Sequence, residues 1–189
     1  PVSSYDDQST PTWKYWPANA GVITYNKTAL WLATLERLIG WPTTQKILAT
    51  HFSRGAFRHP APEEFFAIAN EVSGRDLTWF FDSVYRSSAT FDYAVTDVIS
   101  TPHAATTDHQ VIVRRLGDGV FPISTRVTFA DGTVSDLTWD GREPWHAFRI
   151  SNTSTVARVQ VDPDRVVLLD VNYTNNSLTA RPKDADAKQ

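Results

Sequence analysis

Apolar positions recur every three to four residues as far as Tyr85, and from about Thr90 the period drops to two. In the first part, Trp31, Leu32, Leu35, Leu38 and Ile39 form one stripe of a helix running from about Asn26 to Ile39, with Glu36 and Arg37 opposite. Gly40 falls at the C-terminal cap position, and Pro42 is expected to bar continuation. A second helix over about 44–53 carries Ile47, Leu48 and Phe52, with Thr43 or Thr44 as its cap. Pro60-Ala61-Pro62-Glu63-Glu64 is a helix-start signal, because proline loses no donor in a first turn and carboxylates favour the positive end of the dipole. That third helix runs to about Val72, ends at Gly74, and buries Phe65, Ile68, Ala69 and Val72. Asp76 caps a fourth helix, in which Leu77, Phe80, Phe81, Val84 and Tyr85 share a face. Upstream, residues 1–21 read as an extended, surface-lying lead-in. Val22-Ile23-Thr24-Tyr25 reads as a β-prone run that turns into the first helix, with the Tyr25 phenol at the junction.

In the second part the segments 92–99, 109–116, 121–130, 133–139, 145–151, 156–162 and 166–171 are short and rich in Val, Ile, Thr and aromatic residues. Asp131-Gly132 is a hairpin turn, since both residues tolerate positive φ, and Gly117-Asp118-Gly119, Asp140-Gly141 and Asp162-Pro163-Asp164 mark further turns. The predicted fold class is therefore α+β: an N-terminal helical bundle segment of about four helices followed by a seven-stranded antiparallel β-sandwich of Ig-like type. The expected division is 1–90 for the helices, 91–177 for the sandwich and 178–189 for a polar tail.

The 189 residues, 41% hydrophobic and 21% charged, have the composition of a globular chain. A net charge of −3 without any Lys/Arg cluster gives no reason to expect a nucleic-acid partner. No apolar run reaches the roughly 20 residues of a membrane-spanning helix. The absence of cysteine excludes disulfides, thiolate metal sites and cysteine nucleophiles.

Few residue patterns carry chemistry alone. The five histidines, His51, His59, His103, His109 and His146, lack the one-turn spacing of a His-Glu-x-x-His zinc site, so the chain itself is expected to hold no metal. There is no Gly-x-Ser-x-Gly elbow for a serine hydrolase and no glycine loop for phosphates. Glu63 and Glu64 sit where acids stabilise a helix start. Four Asn-x-Ser/Thr sequons, at Asn26, Asn152, Asn172 and Asn175, arise readily in a chain of this composition. Trp139, Trp145 and Phe148 either fill the sandwich core or form a sugar-stacking platform, which would need exposed coplanar rings.

Several ordered motifs resemble one family. Tyr25-Asn26-Lys27-Thr28-Ala29-Leu30-Trp31-Leu32 with Leu35-Glu36-Arg37-Leu38-Ile39-Gly40 resembles the M1 (gluzincin) aminopeptidases just downstream of their zinc motif. So do His59-Pro60-Ala61-Pro62-Glu63-Glu64-Phe65 and Val72-Ser73-Gly74-Arg75-Asp76-Leu77-Thr78-Trp79-Phe80-Phe81-Asp82. Trp139-Asp140-Gly141 and Val161-Asp162-Pro163-Asp164 resemble the sandwich domain that follows the catalytic domain in many members. Thr28 departs from the family's usual glycine and would crowd the helix start. The resemblance implies a C-terminal portion of a zinc metallopeptidase that cleaves N-terminal residues from peptides. The zinc and its His-Glu-x-x-His ligands would belong to the full-length protein, before Pro1, and this portion would be inactive alone. The resemblance makes Tyr25 the catalytic residue, donating a hydrogen bond to the oxyanion as zinc-bound water attacks. A neutral phenol with pKa of about 10 is a competent donor at neutral pH, and such a donor contributes about 3 kcal/mol. The alternative is a non-catalytic peptide- or protein-binding scaffold module of the same architecture.

Overall fold

The computed structural model describes residues 6–180. The chain divides into two compact units. One holds the helices as far as Ala89 and takes in Val166–Leu169; the other runs over Thr90–Arg165 and resumes at Asp170. The architecture is α+β, with four main helices followed by seven antiparallel strands in two sheets.

In the helical unit, a single turn α1 (Asn19–Gly21) leads without a break into a π-helix (Val22–Lys27) and then α2 (Thr28–Ile39). The β-prone reading of Val22–Tyr25 is therefore corrected: the run is helical. β-branching disfavours a helix only slightly, and burial of Ile23 outweighs it here. Gly40 turns the chain with φ of 85°, and α3 (Trp41–Gly55) starts at once. Pro42 does not delay this helix; it lies in the first turn, where a missing N–H costs nothing. α4 (Pro62–Ser73) opens with the Glu64 carboxylate accepting the Ala61 N–H at 3.1 Å and closes at left-handed Gly74. α5 (Thr78–Val84) follows Asp76, whose Oδ1 accepts the Thr78 N–H at 3.0 Å.

An aromatic cluster joins these helices. The Trp31 ring meets Phe65, Phe80 and Phe81 edge-on with centroids 6.1–6.5 Å apart, and Phe66 stacks on Phe81 at 4.2 Å. Leu35, Ile47 and Ala69 are fully buried around it. The lead-in is not extended throughout: Thr12–Lys14 forms a 3-10 turn, and Asp6 and Asp7 accept hydrogen bonds that fold it back.

In the second unit, β1 (Tyr93–Pro102), β2 (Thr107–Arg115) and β5 (Trp145–Asn152) form one sheet in the order β1-β2-β5. β3 (Ile123–Phe129), β4 (Val134–Trp139), β6 (Val156–Val161) and β7 (Ser177–Thr179) form the other in the order β4-β3-β6-β7. Side chains of the two sheets meet in a shared interior: Tyr93 lies edge-on to Trp139 at 6.1 Å, and His109 tilts against Phe129 at 5.7 Å. Asp131-Gly132 makes the expected hairpin turn, with the Asp131 carboxylate accepting the Thr133 N–H.

The seventh strand is not where the sequence put it. The apolar run Val166–Leu169 belongs to the helical unit, where the Leu168 N–H donates to the Thr34 hydroxyl at 3.2 Å and Val167 is buried. Its burial is that of a packed loop, and a short apolar run does not reveal which partner buries it. Ser177–Thr179 supplies the strand instead, pairing Leu178 with Val159.

Tyr93 closes the interior of the β-unit. Its fully buried hydroxyl donates to the Gly119 carbonyl at 2.9 Å and accepts the Phe121 N–H at 2.7 Å. Burial holds this phenol protonated well above the ordinary tyrosine range. Tyr93→Phe removes both of these hydrogen bonds from a buried site. It is expected to lower unfolding free energy by about 1–3 kcal/mol in denaturant titration, and an unchanged midpoint would contradict this.

Candidate functional site

Tyr25 sits on the π-helix rather than at a helix start. Ile23, Lys27 and Trp31 follow one another at four-residue spacing and face inward; Tyr25, two residues past Ile23, is turned to the opposite side. Its ring is 75% exposed. A π-turn closes its hydrogen bonds one residue later than an α-turn and occurs often at functional sites.

The residues around the phenol are anchored. Lys27 runs inward and its Nζ donates to the Ser87 carbonyl at 2.6 Å. Burial holds the Lys27 ammonium below the usual lysine pKa, with Asp7 acting in the opposite sense. The Thr28 hydroxyl donates to the Ile23 carbonyl, five residues back, at 3.3 Å and accepts from Gln8 Nε2. The side chain expected to crowd the helix start thus serves as a tie across the π-turn. Gln8 also accepts the Trp31 indole N–H at 2.7 Å and donates its own N–H to the Tyr85 carbonyl at 3.0 Å.

Apolar side chains near Tyr25 in the chain are exposed as well, among them Trp13, Trp16 and Val22. On α3, Trp41, Leu48 and Phe52 are exposed at spacings of seven and four, a single helical stripe. Exposed apolar surface of this extent marks contact surfaces more often than free solvent faces.

The histidines do not converge. His51 lies edge-on to Phe65 at 5.3 Å; His59 is exposed in the connection before α4. His103 Nε2 is 3.1 Å from Asp108, His146 stacks against Trp139, and His109 is buried in the β-unit with both nitrogens engaged. Among the described residues no group of three or more His, Cys, Asp or Glu side chains is placed to hold a metal ion. The described side chains therefore do not fit a catalytic zinc. Glu64 pairs with Arg58 at 3.0 Å and Glu63 approaches Arg86 at 3.9 Å, so both acids serve the helix start. Trp139 and Phe148 are buried, and only Trp145 is exposed, so the paired rings of a sugar platform are not formed. No described helix is long and apolar enough to cross a membrane.

One arrangement was not foreseen. Ser100 and His109 lie directly opposite on β1 and β2, with Ser100 Oγ 2.8 Å from His109 Nδ1. Nine residues and a hairpin separate them, and only the strand register reveals the pair.

No family model matches the chain, and no curated protein matches it. Among solved structures, it is similar to the crystal structure of Legionella pneumophila aminopeptidase A in complex with aspartic acid, with a TM-score of 0.54 and 16% sequence identity. The likeness covers 79% of this chain and 18% of that one, so the chain spans under a fifth of that protein's length. At this identity the similarity is one of fold.

Lys27 gives a pH-dependent test of this anchoring. Its native pKa lies below the unfolded value, so in the window between the two the unfolded chain binds more protons and stability rises with pH. Below that window both states are charged and the full burial cost remains. In denaturation from about pH 8 to about pH 10, wild type is expected to gain relative to Lys27→Gln as pH rises; a flat difference would show that the ammonium is effectively solvated.

Proposed function

We propose that this chain is the C-terminal portion of an M1-like zinc aminopeptidase: the end of its helical catalytic domain followed by its β-sandwich. The fold likeness to part of an aminopeptidase carries the reading, and the motif order from Tyr25 to Asp164 supports it. The exposed stripe of Trp41, Leu48 and Phe52 is consistent with a helical unit that packs against further catalytic-domain structure.

Within this reading Tyr25 is the catalytic residue of the chain. Its phenol donates a hydrogen bond to the carbonyl oxygen of the scissile peptide bond as that oxygen gains negative charge. A neutral donor held on a fixed helix needs little reorganisation, and the Thr28, Lys27 and Trp31 contacts fix the segment that carries it. The metal and its ligands are assigned to the full-length protein, as is binding of the peptide substrate. On this reading the isolated chain cleaves no peptides.

Metal analysis and an aminoacyl-anilide assay on the isolated chain test this directly. Expected are no bound zinc and no turnover; stoichiometric zinc with turnover would refute the partition. In the full-length protein Tyr25→Phe is expected to lower kcat about 10²–10³-fold with little change in KM. A wild-type kcat in that variant would return Tyr25 to a surface aromatic and favour the non-catalytic scaffold reading.

A further inference from the structure

The pairing of β1 with β2 places Ser100 and His109 side by side on the inner face of their sheet. Ser100 Oγ lies 2.8 Å from His109 Nδ1, and His109 Nε2 lies 3.0 Å from the Ser154 carbonyl oxygen. A carbonyl only accepts, so Nε2 carries the hydrogen. In the tautomer with its hydrogen on Nε2, Nδ1 presents its lone pair, and the Ser100 hydroxyl donates to it. His109 is 1% exposed and its ring rests against Phe129, so packing and the Ser154 contact fix both tautomer and orientation.

Ser100 is different: it is exposed. It lines a cleft of about 990 Å³ with Val98, Pro102, Val156 and Leu178, which come from β1, β6 and β7. A hydroxyl thus stands at the wall of an apolar cleft with an oriented imidazole behind it. Nucleophile within hydrogen-bond reach of a base, and base oriented by a third group, is the arrangement of an activated serine. Here a backbone carbonyl occupies the place that a carboxylate holds in a triad.

We propose that Ser100 and His109 form an acyl-transfer dyad that accepts short aliphatic acyl groups from esters. Ser100 Oγ attacks the ester carbonyl carbon as its proton passes to His109 Nδ1. The bond from that carbon to the alcohol oxygen breaks, and the alcohol leaves with the proton from Nδ1. The acyl group remains as an ester on Ser100. Water then attacks the acyl carbon as its proton passes to Nδ1; the bond from that carbon to Ser100 Oγ breaks, Oγ takes the proton back from Nδ1, and the acid leaves. A neutral carbonyl stabilises the imidazolium less than a carboxylate does, so stoichiometric acylation followed by slow release is expected.

The whole chain is treated with p-nitrophenyl butyrate, following nitrophenolate release and the intact mass. A burst of one equivalent is expected, with the butyryl group on the peptide containing Ser100. Ser100→Ala removes the burst and the adduct. His109→Gln slows the burst about 100-fold or more. Ser151→Ala, which changes an exposed hydroxyl bonded to Asp108 instead, leaves it unchanged. If His109→Gln does not fold, the distribution of label in wild type decides. Acylation confined to Ser100 supports the dyad; acylation spread over exposed hydroxyls, no acylation, or a burst that survives Ser100→Ala overturns it. In that event the hydrogen bond serves only to satisfy a buried imidazole.

Discussion

The placement of Trp31 governs the helical unit. Its ring makes edge contacts to Phe65 of α4 and to Phe80 and Phe81 of α5, and its indole N–H is spent on Gln8. A buried indole needs a partner for its N–H, and Gln8 supplies one while tying the lead-in to the Tyr85 carbonyl. Once α2 is fixed in rotation at Trp31, the residues four and eight positions earlier face inward. Tyr25 then has no inward position to occupy. Its exposure is a consequence of core packing several residues away, and the helical segment that carries it is tied down by hydrogen bonds of Lys27, Thr28 and Trp31.

The β-unit depends on buried polar contacts of another kind. Asp170 is buried, and its carboxylate accepts from the Asn172 and Tyr93 N–H groups and from Asn176 Nδ2. Burial nevertheless raises its pKa, so the three donors only partly offset the lost hydration. This carboxyl fastens the returning chain at Asn172–Asn176 to the start of β1, while Tyr93 fastens the start of β1 to the loop before β3. Local strand propensity specifies neither contact.

Where the controlling interaction is local, the sequence is readable. Pro62 with Glu63 and Glu64, Gly74, Asp76 and Asp131-Gly132 each act within a turn, and each element they mark is present. Where a distant partner decides, the reading fails. Val22–Tyr25 has strand-like composition, yet the core draws Ile23 into a helix. Val166–Leu169 has the composition of a strand, yet the helical unit claims it, and less apolar Ser177–Thr179 takes the sheet position. Pro42 shows a subtler failure, because proline interrupts a helix interior but suits a first turn, and the boundary at Gly40 decides between the two. Tyr25 stood out only through the motif order that follows it, and the Ser100–His109 pair was hidden because a strand register is not a local property.

The two hydroxyl-bearing residues for which chemistry is proposed differ in what their surroundings must provide. A tyrosine acting as a hydrogen-bond donor is already in its working protonation state, so the fold need only hold its segment still. The segment carrying Tyr25 has that support through Lys27, Thr28 and Trp31, and its exposed phenol suits a donor. A serine hydroxyl is inert until a base takes its proton, so position alone is insufficient. Ser100 has such a base, and the base is fixed by a carbonyl that leaves only one tautomer hydrogen-bonded on both sides. That asymmetry, an exposed phenol on one unit and a hydroxyl backed by an oriented imidazole on the other, is the physical ground for proposing charge stabilisation for the first and bond formation for the second.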